Sequence, residues 1–303
     1  MLTAFRVQGF LPAGTPSAFG LLGVDAGMTA AIQRALDAGM TEPVDATLAF
    51  ARSFDALPAA LRGKIAYVYS PRLCLRQTPD GPVVTLISGD ANAAPLAATD
   101  KPIPLDDANG SPVLDFQSAT NGLQGLADAA VFHGQAGFAL FTIARVMAPS
   151  AGGSGTLAAL RSGATDTTNH ANRPEIVRHE VTTGGALRMI ARRSQDNSNS
   201  LAQIDKPNIV DGKYHRFLTT LDATVTTVAG YCDGELISAV NQSIPGTVGV
   251  YAPLYIGLGA SLTDGRRAPA RLALTMLFNA SLSQADRAAL DAFGAAITEA
   301  LNA

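Results

Sequence analysis

Apolar and polar positions alternate most regularly in the last third of the chain, where residues 214–222, 224–232 and 235–240 read as three strands separated by short turns. Asp233-Gly234 lies between the second and third. A two-residue hairpin turn needs positive φ at its centre, which glycine adopts without steric cost, so this dipeptide predicts a tight hairpin. Further strands are expected within residues 253–261 and over residues 271–278, after which residues 279–286 open a helix. Ser283 and Asp286 have capping-box spacing: the hydroxyl accepts an orphan amide and the carboxylate reaches back to the N-cap amide. Leu290, Phe293, Ile297 and Leu301 then recur at intervals of three and four. This apolar face is expected to pack on the sheets or on helices nearer the N-terminus, with docking on a neighbouring subunit as the alternative.

The N-terminal pattern is helical instead. Met28, Ile32 and Leu36 share one side of a predicted helix that starts near Thr29 and stops at Gly39. A second is signalled by Thr41 as N-cap and Pro43 in the first turn, with Leu48, Ala51 and, as alternatives, Phe54 or Asp55 along one side. Neither has an apolar face wide enough to stand alone. Residues 1–63 therefore read as a helical docking or oligomerisation segment that needs a partner surface, its own β-rich body or another subunit. No Gly/Ser- or Pro-rich linker follows it, so the attachment is expected to be rigid.

Composition adds exclusions. With 303 residues, 47% hydrophobic content and 29 glycines, the chain can bury a large core and still make many turns. A net charge of −3 with 16% charged residues and no basic run excludes a nucleic-acid footprint. No stretch is long and apolar enough to insert in a membrane. Pro12, Gly14 and Pro16 interrupt any signal-peptide core, so synthesis in a cytoplasm is expected. Cys74 and Cys232, the only cysteines, fit two free, half-buried thiols, or a disulfide if their strands are neighbours.

The order of elements resembles the C-terminal half of laminin-G-like, concanavalin A-like sandwich domains. In that family a strand ending in a D-G hairpin, an L-Y-I-G strand, a last sheet strand and an L-S-x-A-D helix start follow one another, as Asp233-Gly234, Leu254-Tyr255-Ile256-Gly257, residues 271–278 and Leu282-Ser283-Gln284-Ala285-Asp286 do here. Residues 111–116, Gly122-Leu123 and residues 137–146 resemble its entry segment, and residues 70–75 and 83–87 its opening strands. The resemblance implies a mainly β, antiparallel two-sheet jelly-roll sandwich over residues 64–303, with the helical N-terminal segment and a C-terminal helix attached. It is specific for fold and weak for function, because lectins, hydrolases, adhesins and viral surface proteins share this sandwich.

Hydrolases of this family carry a Glu-x-Asp-x-x-Glu strand, whose alternation sets two carboxylates on one face. The chain has five glutamates, Glu42, Glu175, Glu180, Glu235 and Glu299, and none has Asp at the second following position. Glu175 and Glu180, five apart on an expected strand, point to opposite faces. The histidines His133, His170, His179 and His215 show no metal-ligand spacing, and no Gly-x-Ser-x-Gly elbow or phosphate loop is present. Gly152-Gly153-Ser154-Gly155 precedes residues 156–160, which read as a strand rather than the helix a phosphate cradle needs. The expectation is a non-enzyme without a metal or cofactor.

Two polar segments remain, residues 162–172 and 194–200. Asp166, Asn169, His170, Asn172, Asp196, Asn197 and Asn199 are the candidate carbohydrate-binding residues, since short hydroxyl and amide side chains match sugar hydroxyls. Asp166, Asn169 or Asp196 could join a calcium shell; the same residue types also serve as plain turn formers. The chain has no Trp to give a sugar a stacking platform, and Tyr214, Tyr231, Tyr251 and Tyr255 are the aromatic hydroxyl residues of the C-terminal half, so a single site should be weak. Weak sites gain strength in arrays. The pattern looks like a phage virion protein of a baseplate, tail fibre or head decoration, localised to the virion. Its expected partners are other virion proteins through residues 1–63, further copies of itself, with a trimer favoured, and a host-surface glycan. The alternatives are a bacterial lectin or adhesin module and a polysaccharide-degrading enzyme.

Overall fold

A computed structural model describes residues 32–33, 37, 44–76, 83–86, 96–98, 103–109, 111–116, 122–148, 155–162, 175–194, 201–241, 246–250, 253–259 and 270–303. Two strands show why the body is layered. Gly137–Val146 (β8) and Ala270–Phe278 (β17) are apolar at almost every position, a pattern that suits a strand covered on both faces rather than one half exposed to water. They lie side by side in the middle of one sheet.

This sheet, sheet A, runs β15 (Glu235–Asn241), β14 (Thr227–Cys232), β13 (Tyr214–Asp222), β8, β17, β6 (Ser111–Asp115) and β5 (Leu105–Ala108), with β1 (Ile65–Tyr69) also paired to β17. Sheet B runs β12 (Leu201–Lys206), β11 (Leu187–Arg192), β10 (Glu175–Val181), β9 (Gly155–Ser162), β16 (Leu254–Leu258), β7 (Leu123–Ala127), β4 (Leu96–Ala98), β3 (Val83–Leu86) and β2 (Cys74–Arg76). The strand pairings within both sheets are antiparallel. The chain is thus a mainly β two-sheet sandwich with a C-terminal helix.

Alternation along the central strands divides the apolar side chains between two cores. Phe138, Leu140, Phe217, Leu221, Leu272 and Leu277 point between the sheets, where they meet Leu157, Leu160, Met189, Ile204 and Ile256. Phe141, Ile143, Leu218, Leu274, Met276 and Phe278 point the other way. There they are covered by helix α1 (Val44–Asp55), helix α2 (Ala59–Arg62) and helix α3 (Gln284–Asn302) through Ala51, Phe54, Leu57, Leu61, Leu290, Phe293 and Leu301. Ile32 joins the same cluster. The described part of the helical segment therefore packs on the sandwich's own sheet, and so does the apolar face of α3. The amphipathic face expected from Leu290, Phe293, Ile297 and Leu301 is the buried face, with Ile297 only partly covered.

Helix α3 is fixed at both ends. Ser283 Oγ accepts the Asp286 amide while Asp286 Oδ2 accepts the Ser283 amide at 2.8 Å, completing the capping box, and Lys64 Nζ donates to the same carboxylate oxygen at 2.6 Å. At the far end Asn302 pairs with the backbone of Tyr214 as a strand neighbour would, accepting its amide at 2.8 Å and donating to its carbonyl at 3.1 Å. Gly294 lets α3 approach sheet A closely: a Cβ there would stand 2.6 Å from Arg216 Cδ and 2.7 Å from Phe141 Cζ. Asp233 and Gly234 have φ of 52° and 86°, so the predicted tight hairpin is made with both central residues in the left-handed region.

Several boundaries differ from the pattern. The strand expected from residue 224 begins at Thr227, because residues 223–226 turn the chain and Thr226 takes φ 57°. Residues 70–73 form a turn, closed by the Leu73 amide on the Ser70 carbonyl, before β2 begins. Cys74 and Cys232 are not disulfide-bonded, and both are buried, in different sheets, rather than half-buried. No helix among the described residues is long and apolar enough to cross a membrane.

Candidate functional site

Strand order places the two polar segments predicted to bind sugar. β9 ends at Ser162 and β10 starts at Glu175, so residues 163–174 leave and re-enter sheet B at neighbouring strand ends. β11 ends at Arg192 and β12 starts at Leu201 at the same end of the sheet, since β10, β11 and β12 are consecutive antiparallel neighbours. Asp166, Asn169, His170, Asn172, Asp196, Asn197 and Asn199 themselves lie outside the described residues. What is fixed is the platform from which their segments spring.

That platform is arginine-rich. Leu187, Met189 and Ala191 turn into the core, so Arg188 and Arg192 face outward from sheet B. Arg178, Glu180 and Arg161 occupy the outward positions of β10 and β9, and Tyr255 of β16 stands opposite Arg161. Arg178 pairs with Glu180 at 2.5 Å, and Arg188 grips Asp205 with two hydrogen bonds of 2.9 and 3.1 Å. Four arginines thus share the face with two carboxylates among its described side chains, and Arg192 is buried to 1% exposure. At the rim the Gly249 amide donates to the Arg193 carbonyl, and Arg193 Nη1 donates to the Thr247 carbonyl at 3.2 Å. Residues 246–249 are thereby clamped beside the end of β11. A Cβ on Gly249 would stand 2.8 Å from Ser194 Oγ, so the two segments approach closely there.

A second cluster lies on sheet A where β13 and β14 meet α3. His215 Nδ1 is 2.6 Å from Asp233 Oδ2, and His215 Nε2 is 3.0 Å from Asp211 Oδ1. Cys232 Sγ is 3.5 Å from the same Asp233 Oδ2. Asp233 Oδ1 accepts the Arg216 amide at 2.9 Å, which orients the carboxylate. The hydrogen bond to Asp233, aided by Cys232 and Asp211 against the cost of burial, pushes the His215 imidazole up to about 10. Burial opposes ionisation of Asp233, but the His215 and Arg216 hydrogen bonds outweigh it and hold the carboxyl below the usual range. The ligand atoms of His215, Cys232 and Asp233 all lie within 4.8 Å of one another. A cleft of about 530 Å³ adjoins them, lined by Tyr231, Leu236, Arg287 and Asp291, with the Arg287 guanidinium 5.2 Å above the Tyr231 ring.

The sequence missed this cluster. Spacing along the chain does not bring these residues together; His215 meets Cys232 and Asp233 across a strand pair in which Phe217 lies opposite Cys232. The other described histidines are separate. His133 Nδ1 bonds the Val250 carbonyl at 2.8 Å, and His179 sits between the sheets, with Thr142 Oγ1 at 2.7 Å and Thr219 Oγ1 at 2.9 Å. Burial pushes His179 down to about 3, so it is neutral. Residues 156–160 belong to β9, as the phosphate-cradle argument required.

No protein-family model matches the chain, and no curated protein does. Solved structures with the same fold do. The binding domain of botulinum neurotoxin serotype D/C VPI 5993 superposes with a TM-score of 0.53 at 11% identity, over 77% of this chain and 52% of that one. The binding domain of Paraclostridial Mosquitocidal Protein 1 gives 0.55 at 10% identity, over 76% and 52%. A botulinum neurotoxin type C structure, described as showing cell entry dependent upon interaction with two ganglioside molecules, gives 0.54 at 11% identity, over 77% and 52%. The chain spans about half the length of these structures. At such identities the likeness establishes a β-sandwich fold shared with binding domains.

Proposed function

We propose that this chain is a non-enzymatic, glycan-binding β-sandwich module whose ligand site is the β9–β12 end of sheet B. The observation that carries the reading is topological: two hydroxyl- and amide-rich segments, separated in sequence by the β10–β11 hairpin, leave from strand ends on the same end of sheet B. Among the described side chains of that face four arginines stand against two carboxylates, which favours an acidic sugar, and Tyr255 opposite Arg161 offers an aromatic edge. Structures of the same fold, one described as a neurotoxin binding domain and one as depending on two ganglioside molecules for cell entry, support the class of function. The test is a glycan array probed with the chain and with Asp166→Ala/Asn169→Ala and Asp196→Ala/Asn197→Ala double variants. Binding to acidic glycans that falls in both variants supports the proposal. Reducing-sugar release from the bound polysaccharides would replace it with the enzyme reading.

At the level of the particle, the reading is a phage or phage-like virion component, of laminin-G-like, concanavalin A-like type, that docks through residues 1–63. Its support is the pairing of a helical segment with a sandwich suited to arrayed, weak binding. Stoichiometric peptides in density-purified particles are the expected result. The protein found only free or on the cell surface would favour the lectin or adhesin alternative.

A further inference from the structure

We infer that His215, Cys232 and Asp233 form a site for a divalent first-row transition metal ion, Zn2+ above all, with Asp211 as the carboxylate that orients the histidine. The inference is independent of the glycan reading, because it concerns the outer corner of sheet A rather than the end of sheet B.

The donor set is the first argument. Thiolate, imidazole and carboxylate together are the ligands of zinc, whereas calcium and magnesium take oxygen alone. Geometry is the second. Bonds of about 2.0–2.3 Å in a tetrahedron put neighbouring ligand atoms about 3.3–3.6 Å apart. The Cys232 Sγ to Asp233 Oδ2 distance of 3.5 Å already meets this. The 2.6 Å between His215 Nδ1 and Asp233 Oδ2 must open by about 0.7 Å as the ion replaces the shared proton.

The surroundings hold these atoms as a metal site would. His215 Nε2 donates to Asp211 Oδ1, the carboxylate–histidine arrangement that leaves Nδ1 as the ligand nitrogen. Asp233 starts the tight turn, and its Oδ1 is held by the Arg216 amide, so Oδ2 is left for the ion. The Arg216 guanidinium approaches Oδ1 at 3.8 Å but is itself engaged by Asp291 at 2.8 Å and Thr298 at 2.7 Å. Cys232 is buried, while the Asp211 and Asp233 side chains are about two-fifths exposed (42% and 37%), which gives the ion an approach from solvent. Three protein ligands leave a fourth position open for water or a partner's donor atom.

The test is Co2+ titration of the reduced full-length chain, read by the near-ultraviolet thiolate-to-cobalt charge-transfer band, followed by displacement with Zn2+. One equivalent should bind, the band should vanish in Cys232→Ser, and it should persist in Cys74→Ser. Asp211→Asn, at an exposed position, should fold normally and weaken affinity by about 10–100-fold. Zn2+ should also protect Cys232 from alkylation in the unmodified protein, a readout that needs no variant. No cobalt–thiolate band, a band that survives Cys232→Ser, or unchanged alkylation with Zn2+ would overturn the inference.

Discussion

His179 couples the stability of the sandwich to pH. It is fully buried on β10 of sheet B and hydrogen-bonded to Thr142 of β8 and Thr219 of β13, both in sheet A, so one imidazole joins the two layers. Each ring nitrogen meets a hydroxyl, which can donate to one nitrogen and accept from the other, so the neutral ring is satisfied. Protonation would bury an ion with no carboxylate among those partners, and burial holds the group down to about 3. The unfolded chain takes up this proton near pH 6.5 and the native state does not. Stability is therefore complete above pH 6.5 and falls as the pH drops towards 3. Linkage between these two values gives a loss of about 2 kcal/mol from pH 7 to pH 5. Urea unfolding at both pH values, in the wild type and in His179→Gln, isolates the effect, because contributions from carboxylates and from His215 are common to both proteins. The wild type should lose about 2 kcal/mol more than the variant over this interval. Equal losses would refute the reasoning and mean that His179 is protonated in the native state.

Four further outcomes are expected. Gly294→Val should lower stability by about 2–3 kcal/mol in thermal unfolding, because its side chain enters the space of Phe141 and Arg216. Ser283→Ala should cost about 1 kcal/mol by removing the cap of α3, with faster amide exchange confined to the first turn of that helix. Thr275→Val should be neutral or stabilising by up to about 1 kcal/mol, since the buried hydroxyl makes no hydrogen bond. Alkylation in denaturant without reductant should label both cysteines, and a Cys74–Cys232 disulfide peptide would contradict their placement in separate sheets.

Elements whose signals are local were legible in the sequence. β8 and β13 were read to the residue, Asp233-Gly234 gave its hairpin, and Ser283 with Asp286 gave the start of α3, because alternation, turn chemistry and capping each act over a few residues. β4 and β5 have three and four residues and owe their form to pairing with distant strands, so no window of sequence carries them. The same limit hid the second cluster. His215 and Cys232 are brought together by the register of β13 on β14, and nothing local to either residue announces it. His179 reads in sequence as one more scattered histidine, and only the closure of two sheets over it makes it neutral. The sugar-binding prediction drew on residue type alone; the strand order adds that both segments share one end of sheet B.

The central claim is that this end of sheet B is the ligand surface. The most direct measurement is amide chemical-shift mapping of the full-length protein during titration with an acidic oligosaccharide selected on the array. The account predicts shifts concentrated at Arg161, Ser162, Glu175 and Arg192 to Ser194, together with the segments between them. Shifts gathered instead around Tyr231 and Arg287, or none at saturating sugar, would contradict it.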